Sequence, residues 1–164
     1  MLESPAGSAS VTALFVGPTP SKPMQSVGEV VAVAEHGLEG DRKFRREGRP
    51  ARKDGPDREV TLIEAEAVEA VNRDGIELDA IESRRNILTR GVALNPLVGR
   101  EFRVGPVLLR GIRLCDPCDH LEKLTRPGVC KALADRGGLR AQVLEGGVIR
   151  VGDPVAAADR RPDA

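Results

Sequence analysis

Val107-Leu108-Leu109-Arg110-Gly111-Ile112-Arg113-Leu114-Cys115-Asp116-Pro117-Cys118 is where the character of this chain is most legible. Val107–Leu114 is the longest strand candidate: Ile112 and Leu114 alternate with charged Arg113, the period of a strand with one face buried. Asp116-Pro117 stops it, and Asp119–Leu124 has the length of one or two helical turns. Downstream, Pro127-Gly128 breaks the chain and residues 129–136 read as a second short helix halted by Gly137-Gly138. Residues 139–144 and 148–151 flank Glu145-Gly146-Gly147, which predicts a β-hairpin. Gly152-Asp153-Pro154 then turns the chain into Val155.

Working upstream, Glu101–Val104 alternates, with Phe102 and Val104 on one face. Residues 86–89 read as a strand. Ala65, Val68 and Val71 lie three apart, one face of a short helix over 65–72, and Gly75 follows where a helix-ending glycine belongs. Residues 59–63, 27–34 and Ser10–Val16 are further strands, and Val-rich 27–34 suits a buried one. His36-Gly37-Leu38-Glu39-Gly40 reads as a turn. Residues 41–58 are crowded with charge, Gly and Pro and predict an exposed loop. Many short strands with turn signals between them, plus two or three brief helices, predict a mostly β fold: a small barrel or sandwich with helical inserts. One domain over residues 10–156 is expected, with loosely held tails at 1–9 and 157–164.

Composition narrows the function classes. The 164 residues carry 25 basic and 25 acidic side chains, so net charge selects no partner. There is no Trp or Tyr and only three Phe, so the aromatic platforms on which nucleic-acid bases stack are missing, and no nucleic-acid role is expected. No apolar run approaches the length that spans a bilayer, so no membrane partner is expected. The start lacks a basic and then apolar leader, and three cysteines, an odd number, suit a reducing compartment; both point to the cytoplasm.

Cys115 and Cys118 carry the strongest chemical signal. A thiol at the junction of a strand and a helix meets free backbone N–H groups that favour thiolate, the form that ligates metals, carries sulfur and attacks disulfides. Several readings stay open on the residues alone. The pair fits a C-x-P-C redox motif, although it lies late in the chain with no long helix after it. A zinc site would have to recruit Cys130 and His120. One reactive cysteine in a soft-metal or sulfur-handling site is the third reading, and two buried cysteines acting as small apolar groups the fourth. His120, two residues past Cys118, is a candidate proton donor or simply a surface residue. His36 reads as a turn residue and Cys130 as a buried helix cysteine.

Five motifs occur in order: Gly37-Leu38-Glu39-Gly40-Asp41-Arg42; Arg84-Arg85-Asn86-Ile87-Leu88-Thr89; Leu114-Cys115-Asp116-Pro117-Cys118; Gly138-Leu139-Arg140-Ala141; and Val148-Ile149-Arg150-Val151-Gly152-Asp153. This series resembles the MOSC family, the domain at the C-terminus of molybdenum cofactor sulfurases, which also occurs as small stand-alone bacterial proteins. The resemblance runs from about residue 10 to residue 156 and implies a β-barrel with small helices.

It also implies a site around one cysteine. In that family the cysteine either ligates the molybdenum of a pterin cofactor (molybdopterin) in enzymes that reduce N-hydroxylated substrates, or receives persulfide sulfur from a pyridoxal-phosphate-dependent cysteine desulfurase. The ligand position falls on Cys118, with Cys115 and His120 as the further catalytic candidates. The pterin phosphate and ring contacts fall on Lys22, Arg42, Arg84 and Asn86. The implied partners are a sulfur donor or an electron-donor protein and a small-molecule substrate. Pyridoxal phosphate would enter only through a partner. The chain departs from the reductases in lacking their N-terminal extension and in its basic 41–58 loop. Independently of the family, two readings stay open: Arg42, Arg84 and Asn86 are side chains able to hold a phosphate by fork donors and an amide, and Asp41–Arg42 and Arg84 equally read as surface charges or a structural ion pair.

Overall fold

The computed structural model describes residues 8–44 and 58–158; most of the charged 41–58 segment and most of both expected tails lie outside these residues. Eleven strands and three short α-helices alternate along them: β1 Ser10–Val16, β2 Gln25–Val27, β3 Glu29–Val33, β4 Gly37–Leu38, β5 Val60–Glu64, α1 Ala65–Arg73, β6 Ile87–Arg90, β7 Glu101–Val104, β8 Val107–Leu114, α2 Asp119–Leu124, α3 Val129–Ala132, β9 Leu139–Glu145, β10 Gly147–Arg150 and β11 Val155–Ala157. Two single 3-10 turns, Ala80–Ser83 and Asn95–Leu97, join them.

Eight strands form one sheet in the order β11-β7-β8-β9-β5-β6-β1-β2; β10, β3 and β4 form a second. The large sheet is not closed by a continuous ladder. Its two ends are nevertheless brought together: Val11 N donates to Asp153 O and Gly152 N to Val11 O, each at 2.8 Å, and Ser10 bridges Pro154. The small sheet packs over the same interior through Val30, Ala32, Leu38 and Ile149. The result is a mostly β, barrel-like body, as the strand spacing predicts.

Two apolar clusters explain the layers. The alternating residues of β7, β8 and β9 — Phe102, Val104, Leu109, Ala141 and Val143 — are buried in the interior cluster with Leu62 and Ile87. Removing the ring of fully buried Phe102 would cost about 3–5 kcal/mol, because the packed interior cannot collapse into so large a void. β5 is apolar on both faces, so its other side takes a second cluster. There Ile63, Leu88 and Phe15 meet Val68 and Val71 of α1, Leu121 of α2, and Val129 and Leu133. α1 crosses between the parallel strands β5 and β6, and all three helices therefore cover one side of the large sheet.

Three sequence expectations are corrected. The 27–34 strand is two strands, β2 and β3, which separate at Gly28 and join different sheets. The predicted hairpin between β9 and β10 does not form: β9 is paired on both edges, by β8 and β5, so β10 has no edge to join and pairs with β3 instead. Gly146 permits this crossing, since a Cβ there would lie 2.5 Å from Ala32 O. Residues 37–38, read as turn, pair with β3 as β4.

Candidate functional site

The site grows from the start of β6. Asn86 is buried, and all its amide positions are used by protein. Oδ1 accepts from Thr61 N (3.0 Å) and Thr61 Oγ1 (3.1 Å); Nδ2 donates to Phe15 O (3.1 Å) and to Asp41 Oδ1 (3.2 Å). Asp41 also accepts Gly17 N at 2.8 Å and Lys43 N at 3.3 Å. The pair locks the end of β1, the turn after β4 and β5 together. An amide with two acceptor and two donor positions filled has none left for a ligand, so Asn86 positions its neighbours rather than facing outward. Arg42 stands on this base, its Nη1 3.7 Å from Asp41 Oδ1 and its N–H on Gly17 O at 2.8 Å. Gly17 leaves room for this guanidinium: a Cβ there would lie 2.5 Å from Arg42 Nη1, so a larger residue would move the Arg42 side chain.

Arg84 and Arg85 then diverge. Arg84 closes the 3-10 turn in the left-handed region, φ 63° and ψ 22°. That backbone costs a non-glycine residue about 1–2 kcal/mol and aims the side chain at the loop after β1. Its Nη1 donates to Lys22 O at 2.6 Å, whereas Nη2 is buried with no hydrogen-bond partner among the described residues. Burial, then the neighbouring charge of Arg42, lowers the Arg84 pKa from the usual guanidinium range, with Asp41 pulling the other way. Two of the expected anion contacts, Arg42 and Arg84, are thus electrostatic neighbours, and Lys22 meets Arg84 through its carbonyl.

Arg85 turns inward. Nε donates to Gly137 O (2.8 Å), Nη1 to Ser83 O (3.2 Å) and Nη2 to Cys115 O (3.0 Å). Burial lowers its pKa too, opposed by the Cys115 thiol. The guanidinium straps the Cys115–Cys118 turn to the sheet. Sequence reading gave Arg85 no role, because two adjacent arginines carry no signal of which one faces the interior.

The thiols are unequal. Cys115 is 2% exposed, and its N–H donates to Gly138 O at 2.8 Å. Cys118 is exposed at the residue before α2, and its carbonyl accepts Glu122 N. Cys130 is half-buried on α3, its N–H on Glu122 Oε1 at 2.9 Å; burial raises its thiol pKa, and Glu122 and Asp119 add to the rise. All three are free thiols. His120 Nε2 and Ser21 Oγ share a 3.1 Å hydrogen bond, so α2 touches the same loop that Arg84 holds. Ser21 is also left-handed, φ 66°. A pocket of about 190 Å³ lies between Ser21, Met24, Ile81, Arg84 and Leu124; Cys118 is not among its walls. His36 Nδ1 donates to Ala34 O at 2.9 Å, a local turn contact away from these groups. Among the described residues no group of three or more His, Cys, Asp or Glu could hold a metal ion, which removes the support for a zinc site.

The MOSC domain model matches residues 49–156 of the chain. Among solved structures, the YuaD protein from Bacillus subtilis superposes with a TM-score of 0.75 at 15% identity, over 90% of this chain and 94% of that one. YiiM from Geobacillus stearothermophilus gives 0.67 at 20% identity, over 93% and 76%. YiiM from Escherichia coli gives 0.66 at 19% identity, over 92% and 70%. At these identities the likeness is one of fold. No curated protein sequence matches at a significant level.

Proposed function

We propose, since the chain belongs to the MOSC domain family, that it binds a molybdenum-carrying pterin cofactor, with Cys118 as the thiolate ligand and Lys22, Arg42 and Arg84 around its phosphate. Arg84 carries the reading. A buried guanidinium nitrogen without a partner among the described residues, beside a second arginine, is a standing cost to the fold that an anion would offset. An arginine fork is also the donor set that a phosphate asks for. A soft thiolate suits molybdenum carried by a cofactor, which asks for one protein ligand rather than a three-residue cluster. Asn86 would act underneath, through Asp41, by fixing where Arg42 stands.

When bound, the cofactor would supply two-electron reduction of an N-hydroxylated substrate, with an electron-donor protein as the source. The chain's own part is to hold the phosphate, keep Cys115 and Arg85 as the buried support of the thiol turn, and move a proton at His120, whose Nε2 is held by Ser21. The test is metal and pterin analysis of protein produced in a cofactor-competent host. Native protein is expected to carry both. Cys118→Ser should lose the molybdenum and Arg84→Gln the pterin. Native protein without either would defeat the reading.

A second reading rests on the exposure of Cys118. A free thiol at the surface is what a sulfur carrier offers to a pyridoxal-phosphate-dependent cysteine desulfurase. Persulfide on Cys118 after mixing with such an enzyme, in protein that binds no pterin, would favour it.

A further inference from the structure

The pocket of about 190 Å³ lies between the loop after β1, the 3-10 turn Ala80–Ser83 and the end of α2. Pro23, Met24, Ile81 and Leu124 give it apolar walls. Leu124 is 37% exposed, a large apolar side chain that the core does not cover. An apolar cavity of about 150 Å³ holds a benzene-sized molecule, so this pocket takes about six to eight non-hydrogen atoms, too few for a pterin with its phosphate arm.

The polar side chains in its walls are already engaged, with one exception. Ser21 Oγ and His120 Nε2 share a 3.1 Å hydrogen bond, and Thr125 Oγ1 donates to Leu121 O at 2.7 Å. Glu82 accepts from Arg126 at 3.1 Å and 3.0 Å and from Asp79 N at 3.0 Å, so its charge is met within the wall. Arg84 is the exception: Nη1 donates to Lys22 O at 2.6 Å, while Nη2 is withdrawn from water with no partner among the described residues. One uncommitted cationic donor among apolar walls asks for a monoanion with an apolar tail. A cation would be repelled by Arg84, and a neutral apolar molecule would leave its donor unsatisfied.

We propose that this pocket binds a short-chain aliphatic carboxylate of the size of isovalerate, with its chain between Met24, Ile81 and Leu124 and its carboxylate on Arg84. The chain leaves water for apolar side chains, and the carboxylate supplies the acceptor that Arg84 lacks. Arg84 is also the guanidinium offered to the pterin phosphate, so the two ligands would exclude one another there. The acid needs neither the pterin nor Cys118, and cofactor-free protein therefore tests it apart from the cofactor reading.

The test uses the native chain from a host that does not make the cofactor, carbon-labelled at the methionine methyls and titrated with isovalerate by NMR near neutral pH. The chain has two methionines, so the Met24 methyl reports on the pocket and Met1 is the reference. The Met24 signal is expected to shift saturably while that of Met1 stays in place. Isovaleramide, the same shape without the charge, should bind at least about tenfold more weakly. Acetate should be weaker too, by roughly threefold to fourfold for each carbon lost from the chain. Arg84→Gln should bring acid and amide to the same affinity, and Ile81→Trp should abolish the shift by filling the pocket. A Met24 signal that does not respond, or acid and amide binding equally to the native protein, would overturn the proposal. So would inorganic phosphate that binds as well as isovalerate, because the apolar walls would then contribute nothing.

Discussion

Asn86 Nδ2 donates to Asp41 Oδ1 across 3.2 Å, with both side chains buried and 45 residues between them in sequence. The contact couples the floor of the candidate site to the sheet: Asn86 sits on Thr61 of β5, and Asp41 carries Arg42 and accepts the Gly17 amide. Position and stability are therefore linked at this pair.

Asn86→Ala should lower unfolding free energy by about 3 kcal/mol in urea titrations, because it strands several buried donors and acceptors together. Asn86→Asp should be worse near neutral pH and partly recover in acid. It sets a second carboxylate against Asp41, and protonation relieves the repulsion. An Asn86→Ala protein as stable as the native one would show that the pair is not the anchor described.

The two adjacent arginines should separate cleanly. Arg85→Gln loses hydrogen bonds to three carbonyls in a buried place and should cost about 3 kcal/mol, read from the same urea titrations. Arg84→Gln should cost less, about 1 kcal/mol or under, since it gives up only the hydrogen bond to Lys22 O and its other terminal nitrogen has no partner among the described residues. Equal losses at both positions would contradict the division of roles.

Alkylation with iodoacetamide near neutral pH, followed by mass spectrometry, should modify Cys118 first. Cys130 should lag, because its thiol pKa is raised by burial and by Glu122 and Asp119, and Cys115 should react only on unfolding. Faster reaction at Cys115 would move the reactive thiol to the other end of the turn.

Glu82 ties the turn that carries Arg84 to the segment after α2, through paired hydrogen bonds with Arg126. Its pKa is lowered from 4.5, chiefly by the hydrogen bond from Arg126. A carboxyl with a lowered folded-state value stabilises above its unfolded value and loses that contribution as pH falls through the folded one. Native protein should thus lose stability below about pH 4.5 more steeply than Glu82→Gln. Thermal melts from pH 6 to pH 3 would show it, and identical slopes would remove the role.

Local sequence determined the strands Ser10–Val16, Glu101–Val104 and Val107–Leu114 and the helix Asp119–Leu124, because alternation, Asp-Pro and paired glycines act on the few residues around them. It also marked the turn at Cys118, where a strand ends and a helix begins. It did not decide which edge β10 would join. That depended on β9 being already occupied by β8 and β5, a fact spread over some 80 residues of chain. Nor could it tell that Asn86 is saturated, or that Arg84 points to Lys22 while Arg85 points to Cys115. Propensity and periodicity describe which way a residue faces within its own element. Hydrogen-bond satisfaction and charge proximity depend on partners 30 to 71 residues away, and only the packed sheet brings those within reach.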